Sequence, residues 1–198
     1  KVAQSRGQKF SVLSPATEGL FGFYGKIGYY KFHKYREVIL TAEEMRKFRS
    51  GNKMSPDIDY SRVMDIRSEF FSADGEVIWD RDSVKYAFDM NEDIGGRNIF
   101  NENGYVISSC FTGNRVDTYE LAYLGDNIET LLAELYNTYR DRDGYIIRLP
   151  VRNKFFGDRG RIVDKCMICP VYDKEREELI DFVINTAKIN PCMGFVLE

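Results

Sequence analysis

The clearest periodicity in the chain lies past its midpoint. Ile128, Leu131, Leu132, Leu135 and Tyr139 fall at i, i+3, i+4, i+7 and i+11, with Asp126 ahead of them and Glu129 in the first turn. That spacing predicts an amphipathic helix opening at Asp126 and ending at Asp143-Gly144. Leu179, Ile180, Val183, Ile184 and Ala187 make a second helical stripe, with Asp173 as its cap and Asn190-Pro191 as its break. Thr41-Ala42-Glu43-Glu44 reads as a capping box for a short helix over 42–50, stopped at Gly51.

Most of the remainder reads as strand. Residues 8–13, 29–40, 105–111, 144–151, 161–172 and 193–198 are apolar or alternating runs. Arg62 to Phe71 also alternates, with Met64, Ile66 and Phe70 on one side. Asp74-Gly75 then predicts a hairpin turn into a partner strand over 76–80. Val84, Tyr86, Phe88 and Met90 suggest a third strand, with a helix from Ser83 as the competing assignment, and Asn103-Gly104 marks a second hairpin. Gly19, Gly22, Gly25 and Gly28 recur every third residue, which argues against a helix and for bulged extended chain over 20–27. Hairpins exclude a purely parallel sheet. The expectation is an α+β fold: a mainly antiparallel sheet with two or three amphipathic helices packed on it. Residues 1–28 would be a Gly- and aromatic-rich N-terminal arm or edge segment, and 29–198 a single α+β domain.

Composition narrows the class. With 43% hydrophobic and 14% aromatic residues in 198, the chain can bury a core. No run reaches the roughly 18–20 apolar residues that span a bilayer. Residues 1–15 are basic but lack an apolar h-region, which argues against a secretion signal. Four cysteines are too few to suggest a disulfide framework, so a soluble, cytoplasmic protein with reduced thiols is expected. The single histidine, His33, excludes His-rich metal sites and narrows imidazole chemistry to one residue. There is no phosphate-binding Gly-rich loop ahead of a helix and no nucleophile elbow.

Net charge is −3, but unevenly spread: +5 over residues 1–40, −9 over 61–143 and +4 over 144–165. The two basic segments interleave cations with rings. Lys26, Tyr29, Tyr30, Lys31, His33, Lys34 and Arg36 lie in the first, and Arg148, Arg152, Lys154, Arg159 and Arg161 in the second. Cations hold phosphates and rings stack on unpaired bases, so a polyanion-binding groove is expected if the two segments share a face. The competing interpretation is a sheet edge whose rings are core and whose cations snorkel over them. Cys166-Met167-Ile168-Cys169, with Cys110 and Cys192 elsewhere, reads as buried structural cysteine in an apolar strand.

Asp80-Arg81-Asp82 follows the apolar run Val77-Ile78-Trp79. It resembles the Asp-x-Asp element of nucleotide-sugar glycosyltransferases, which implies Mg²⁺ or Mn²⁺ held against a nucleotide diphosphate. Asp57-Ile58-Asp59 and Asp141-Arg142-Asp143 repeat the spacing in loops. The segment GFYGKI at 22–27 is similar to the start of a type VI secretion accessory family, without the Gly-Asp-Phe that should follow.

The reading that results leans away from catalysis and calls for no cofactor. It is a non-catalytic binding or assembly component that meets nucleic acid or a partner subunit through the basic aromatic surface. Its alternatives are a divalent-metal-dependent transferase or hydrolase using Asp80 and Asp82, and a purely structural homo-oligomer protomer.

Overall fold

Aspartates open helices where alternation suggested strands. In the computed structural model, which describes residues 5–49, 54–55, 57–110, 113–172 and 176–194, Asp59 accepts from Ser61 N and Arg62 N at the start of a helix over Tyr60–Phe70. Asp80 likewise accepts from Ser83 N, at 2.7 Å, ahead of a helix over Arg81–Asp93. The buried positions are Val63, Ile66 and Arg67 in one and Val84, Ala87, Phe88 and Asn91 in the other, a spacing of three and four. The hairpin expected over 62–80 is therefore absent, and the helix from Ser83 is the assignment that holds. A two-residue alternation over ten positions also matches parts of a helical face, and the caps decide between them.

Along the chain the elements are β1 (Phe10–Leu13), α1 (Glu18–Lys26), β2 (Tyr30–Thr41), α2 (Ala42–Met45), α3 (Tyr60–Phe70), α4 (Arg81–Asp93), β3 (Arg97–Asn101), β4 (Gly104–Ser109), β5 (Arg115–Tyr123), α5 (Ile128–Thr138), β6 (Gly144–Leu149), β7 (Arg161–Pro170) and α6 (Arg176–Ala187). The seven strands of the described residues form one sheet in the order β1-β7-β2-β6-β5-β4-β3. Every neighbouring pair is antiparallel except β5 and β6, which run parallel across the α5 crossover. The mainly antiparallel α+β expectation stands, with a larger sheet and six helices among the described residues instead of two or three.

Helices cover both faces. Met45 of α2 and Ile128, Leu131, Leu132 and Leu135 of α5 bury against Val38, Leu40, Val106, Val116, Tyr145 and Ile147. On the opposite side α3 and α4 bury Val63, Ile66, Val84 and Phe88 against Phe100, Tyr105, Ile107 and Ala122. Helix α6 packs Val183 against Phe32 and Ile168. Residues 18–26, expected as bulged extended chain, are helix α1. None of its residues is buried, and a Cβ at Gly19, Gly22 or Gly25 would meet nothing within 4 Å. Gly28, at φ +96°, turns the chain from this helix into β2. The capping box at Thr41 forms with both reciprocal bonds, but its helix ends at Met45. Asp173, Gly51 and the expected strand's residues 195–198 lie outside the described residues.

Candidate functional site

The one parallel pair among the described residues is also where the sheet opens. The β5–β6 ladder runs from Arg115↔Gly144 through Val116↔Tyr145 to Asp117↔Ile146. Beyond it β5 follows β4 as far as Tyr123, while β6 follows β2 as far as Leu149. A β-bulge in β5 accompanies the parting: Ile107 faces Glu120 and Ser108 faces Thr118, which leaves Tyr119 as the extra residue.

A cavity of about 400 Å³ lies at this notch. Tyr35, Asp117, Tyr119, Glu120, Arg148 and Lys165 line its sheet side, and Phe71 and Cys192 to Gly194 close over them. The covering segment is fixed by Lys34 N donating to Pro191 O at 2.9 Å and by Trp79 Nε1 donating to Met193 O at 3.2 Å.

Under the cavity floor is a buried ionic cluster. Arg67, from α3, grips Glu120 with Nε and Nη2 at 3.1 and 3.2 Å and donates Nη1 to Val77 O. Tyr105 donates its hydroxyl to the same carboxylate. Burial works against the Arg67 charge, but Glu120, with Tyr105 and Cys192, more than offsets it, and the guanidinium pKa is raised. Burial, then Glu120, push the Tyr105 phenol well above its ordinary value. Burial raises the Cys192 thiol to about 12, so it is no nucleophile at neutral pH. A Cβ on Gly194 would sit 2.2 Å from Glu120 Oε2, so only glycine lets the covering segment approach the cluster.

The side chains of the notch bridge the parted strands. Thr118 Oγ1 accepts from Arg148 N at 2.9 Å and donates to Ile146 O at 3.0 Å. Arg148 donates Nη1 to Thr118 O at 3.1 Å and Nη2 to Asp117 Oδ1 at 2.8 Å, and lies over the Tyr35 ring at 5.4 Å. Its Nε stands 3.6 Å from Glu37 Oε2, short of a hydrogen bond, and has no other partner. Burial opposes the Arg148 charge, yet Tyr35, Asp117 and Glu37 together raise its pKa.

The structure does bring the two basic segments together, because β2 lies between β6 and β7. It also surrounds their cations with acids and carbonyls. Lys31 and Lys34 share Asp164, and Glu37 takes Arg161 at 2.7 Å. Arg152 pairs with Glu76, Lys154 with Asp158, and Arg159 with Glu44, whose carboxyl Arg159 holds down at about 2. Arg36 is buried and donates to Asp158 O and Arg159 O. Tyr29 bonds Ser11, Tyr30 packs with Phe32, Ile168 and Val183, and Lys26 sits apart at the end of α1. His33 is 1% exposed with Nε2 on Gly75 O at 3.0 Å.

Asp80 is a helix cap, its pKa lowered by the Ser83 bonds, and Asp82 lies in the first turn of the same helix. Among the described residues no three His, Cys, Asp or Glu side chains gather as metal ligands. Cys166 and Cys169 lie on β7 outside any disulfide.

Sequence reasoning missed Arg67, Tyr105, Asp117, Thr118, Tyr119 and Glu120. One signal was present: the apolar phase of β5 slips between Val116 and Leu121, which marks the bulge.

No family model and no curated protein sequence matches the chain. Solved structures do. A GCN5-related N-acetyltransferase from Kribbella flavida superposes with a TM-score of 0.64 at 15% identity, over 84% of this chain and 44% of its own. Another from Anabaena variabilis gives 0.58 at 12%, over 84% and 47%. Eis1 from Mycobacterium abscessus gives 0.56 at 13%, over 86% and 49%. The chain thus has the GCN5-related N-acetyltransferase fold and spans just under half the length of these three proteins. This overturns the expectation of a non-catalytic nucleic-acid-binding or assembly component. Its physical error lay in counting cations without the acids that the fold sets beside them.

Proposed function

We propose that the protein is an N-acyltransferase, moving an acetyl group from a thioester donor of the acetyl-CoA type to a primary amine. The observation that carries this reading is the cavity at the parting of the parallel pair β5 and β6, in a sheet shared with N-acetyltransferases. A notch in a sheet leaves strand edge for an extended amide chain to join, and a bulge beside it re-aims side chains into the opening. The seven-stranded sheet holds both sides of the notch, and residues 192–194 line the cavity from the other side.

In the arrangement of the structure, the residues do not fit such a donor. Arg148 occupies the strip beside β5, and the α5 N-terminus that follows β5 presents Asp126 and Glu129, which repel a diphosphate. The reading is tested by following free thiol released from acetyl-CoA by the purified chain across a panel of primary amines, with product mass as the second readout. Amine-dependent release with an acetylated product is expected. Its absence across the panel, from protein shown to be folded, removes the reading.

A further inference from the structure

We propose that the preferred acyl donor of this protein is a short, uncharged thioester, and that Asp126 and Glu129 select against a nucleotide-borne one. The inference rests on the acyltransferase reading and draws the donor's chemistry from the misfit between this chain and acetyl-CoA.

A coenzyme A thioester carries a diphosphate, and a helix N-terminus beside a cleft is where backbone amides and the helix dipole would hold it. The helix that follows β5 offers the opposite charge. Asp126 stands just ahead of α5 and Glu129 lies in its first turn, both exposed. The start of the helix is also covered. Asn127, Ile128 and Thr130 are buried, and Asn127 donates Nδ2 to Asn101 Oδ1 at 2.9 Å. Leu124 N donates to Asn103 O at 2.8 Å, which fixes the β3–β4 hairpin against the same turn. Between Arg115 and Arg140 the chain holds Asp117, Glu120, Asp126, Glu129 and Glu134, and no Lys or Arg. The cations of the cavity wall do not compensate. Arg148, on β6, is held between Asp117 and Glu37. Lys34 on β2 and Lys165 on β7 lie two and three strands from β5, at least about 10 Å away, and Lys34 faces Asp164.

The cavity limits the donor's length as well. Arg148 donates Nη1 to Thr118 O, and Thr118 Oγ1 accepts from Arg148 N, so the polar edge that a long amide chain would follow is already satisfied. About 400 Å³ is left between the sheet and residues 192–194, at the small end of ligand pockets. Tyr35, Phe71, Tyr119 and Met193 in its lining favour a leaving group without charge. In the transfer the amine nitrogen bonds to the carbonyl carbon, the carbon–sulfur bond breaks, and the thiol leaves with the amine's proton. Acetyl-CoA shares the reacting end and is a poorer donor because of the rest of it.

The probes are acetyl-CoA and the acetyl thioester of N-acetylcysteamine, each offered with the same panel of primary amines. Amine-dependent kcat/KM is read from thiol release and product mass, across a salt series, in the wild type and in the double variant Asp126→Asn with Glu129→Gln. The wild type should favour the short thioester by about tenfold, since each carboxylate at the helix start repels the diphosphate. Rising salt should narrow that preference, because the repelling charges are exposed. The double variant should narrow it by about the same factor, through a gain with acetyl-CoA. The salt series needs no variant, so it decides even where the double variant does not fold. Equal or better use of acetyl-CoA by the wild type overturns the inference and leaves the acyltransferase reading standing. So does a preference that salt, or a folded double variant, leaves unchanged. No acetylated amine from either thioester, with protein shown by circular dichroism to be folded, overturns the reading and the inference with it.

Discussion

At the scale of single residues, two of the buried polar groups have consequences that can be measured. The first is Arg67 with Glu120, whose side chains are only 5% and 1% exposed. Replacing Arg67 by alanine strands the carboxylate beside Tyr105 and is expected to lower stability by about 3–5 kcal/mol. The double replacement Arg67→Met with Glu120→Leu should recover much of that loss, because no buried charge remains. Urea midpoints of the two variants check both parts, and a single replacement costing under about 1 kcal/mol would mean that water reaches the pair.

The second is His33. Burial lowers its pKa from 6.5 to about 4, partly opposed by the bond to Gly75 O. The unfolded chain therefore takes up a proton that the folded one refuses. Stability is full above pH 6.5 and falls as pH drops toward about 4, by about 3 kcal/mol in all. His33→Gln keeps a donor for Gly75 O and removes the titration. Its stability should fall less between pH 6.5 and 4 than that of the wild type, and parallel pH profiles would place the acid sensitivity elsewhere.

At the scale of elements, caps and spacing decide what composition does not. Asp80 donates nothing to catalysis in this reading and holds the first turn of α4. Asp80→Ala is expected to cost about 1 kcal/mol, whereas Asp80→Asn, an equally good N-cap, should cost almost nothing. A comparable loss in both would contradict the capping role. In α1, Gly22 is exposed with open space where a Cβ would stand, so Gly22→Ala should raise stability by roughly 0.5–1 kcal/mol. A thermal midpoint that drops instead would mean this helix needs its glycines for packing.

The same elements show what the sequence could reveal. Helix α5 and the hairpin at Asn103-Gly104 were legible because their signals are local: an i, i+3, i+4 stripe and a turn dipeptide. Helix α3 was not, because Met64, Ile66 and Phe70 satisfy a strand period by coincidence, and α4 was legible only as the competing assignment from Ser83, since its cap Asp80, like Asp59, also belongs to an Asp-x-Asp pair. Helix α1 was hidden by glycines whose cost is modest and which leave it wholly on the surface. The candidate site was the least legible part. Arg67, Glu120 and Arg148 come from three elements, and no spacing along the chain announces the contacts of Arg67 with Glu120 and of Arg148 with Asp117, 53 and 31 positions apart.

At the scale of the whole molecule, the sheet is two groups of strands, β1-β7-β2-β6 and β5-β4-β3, meeting along the short parallel ladder from Arg115↔Gly144 to Asp117↔Ile146. The second group is built from one continuous stretch with α3, α4 and α5, while the first gathers strands from both ends of the chain. Such a joint is the natural place for local opening, since few backbone bonds cross it. The Thr118 hydroxyl extends it, accepting from Arg148 N and donating to Ile146 O. Thr118→Val keeps the shape and leaves both backbone groups without that partner, an expected loss of about 1–3 kcal/mol. The sharper consequence is local. Hydrogen exchange at the Arg148 amide should quicken by more than the loss of global stability accounts for, while amides in the β2–β7 ladder slow or quicken only with the global change. Uniform quickening across both ladders would mean that the sheet opens as one unit, with the β5–β6 joint no weaker than the rest of it.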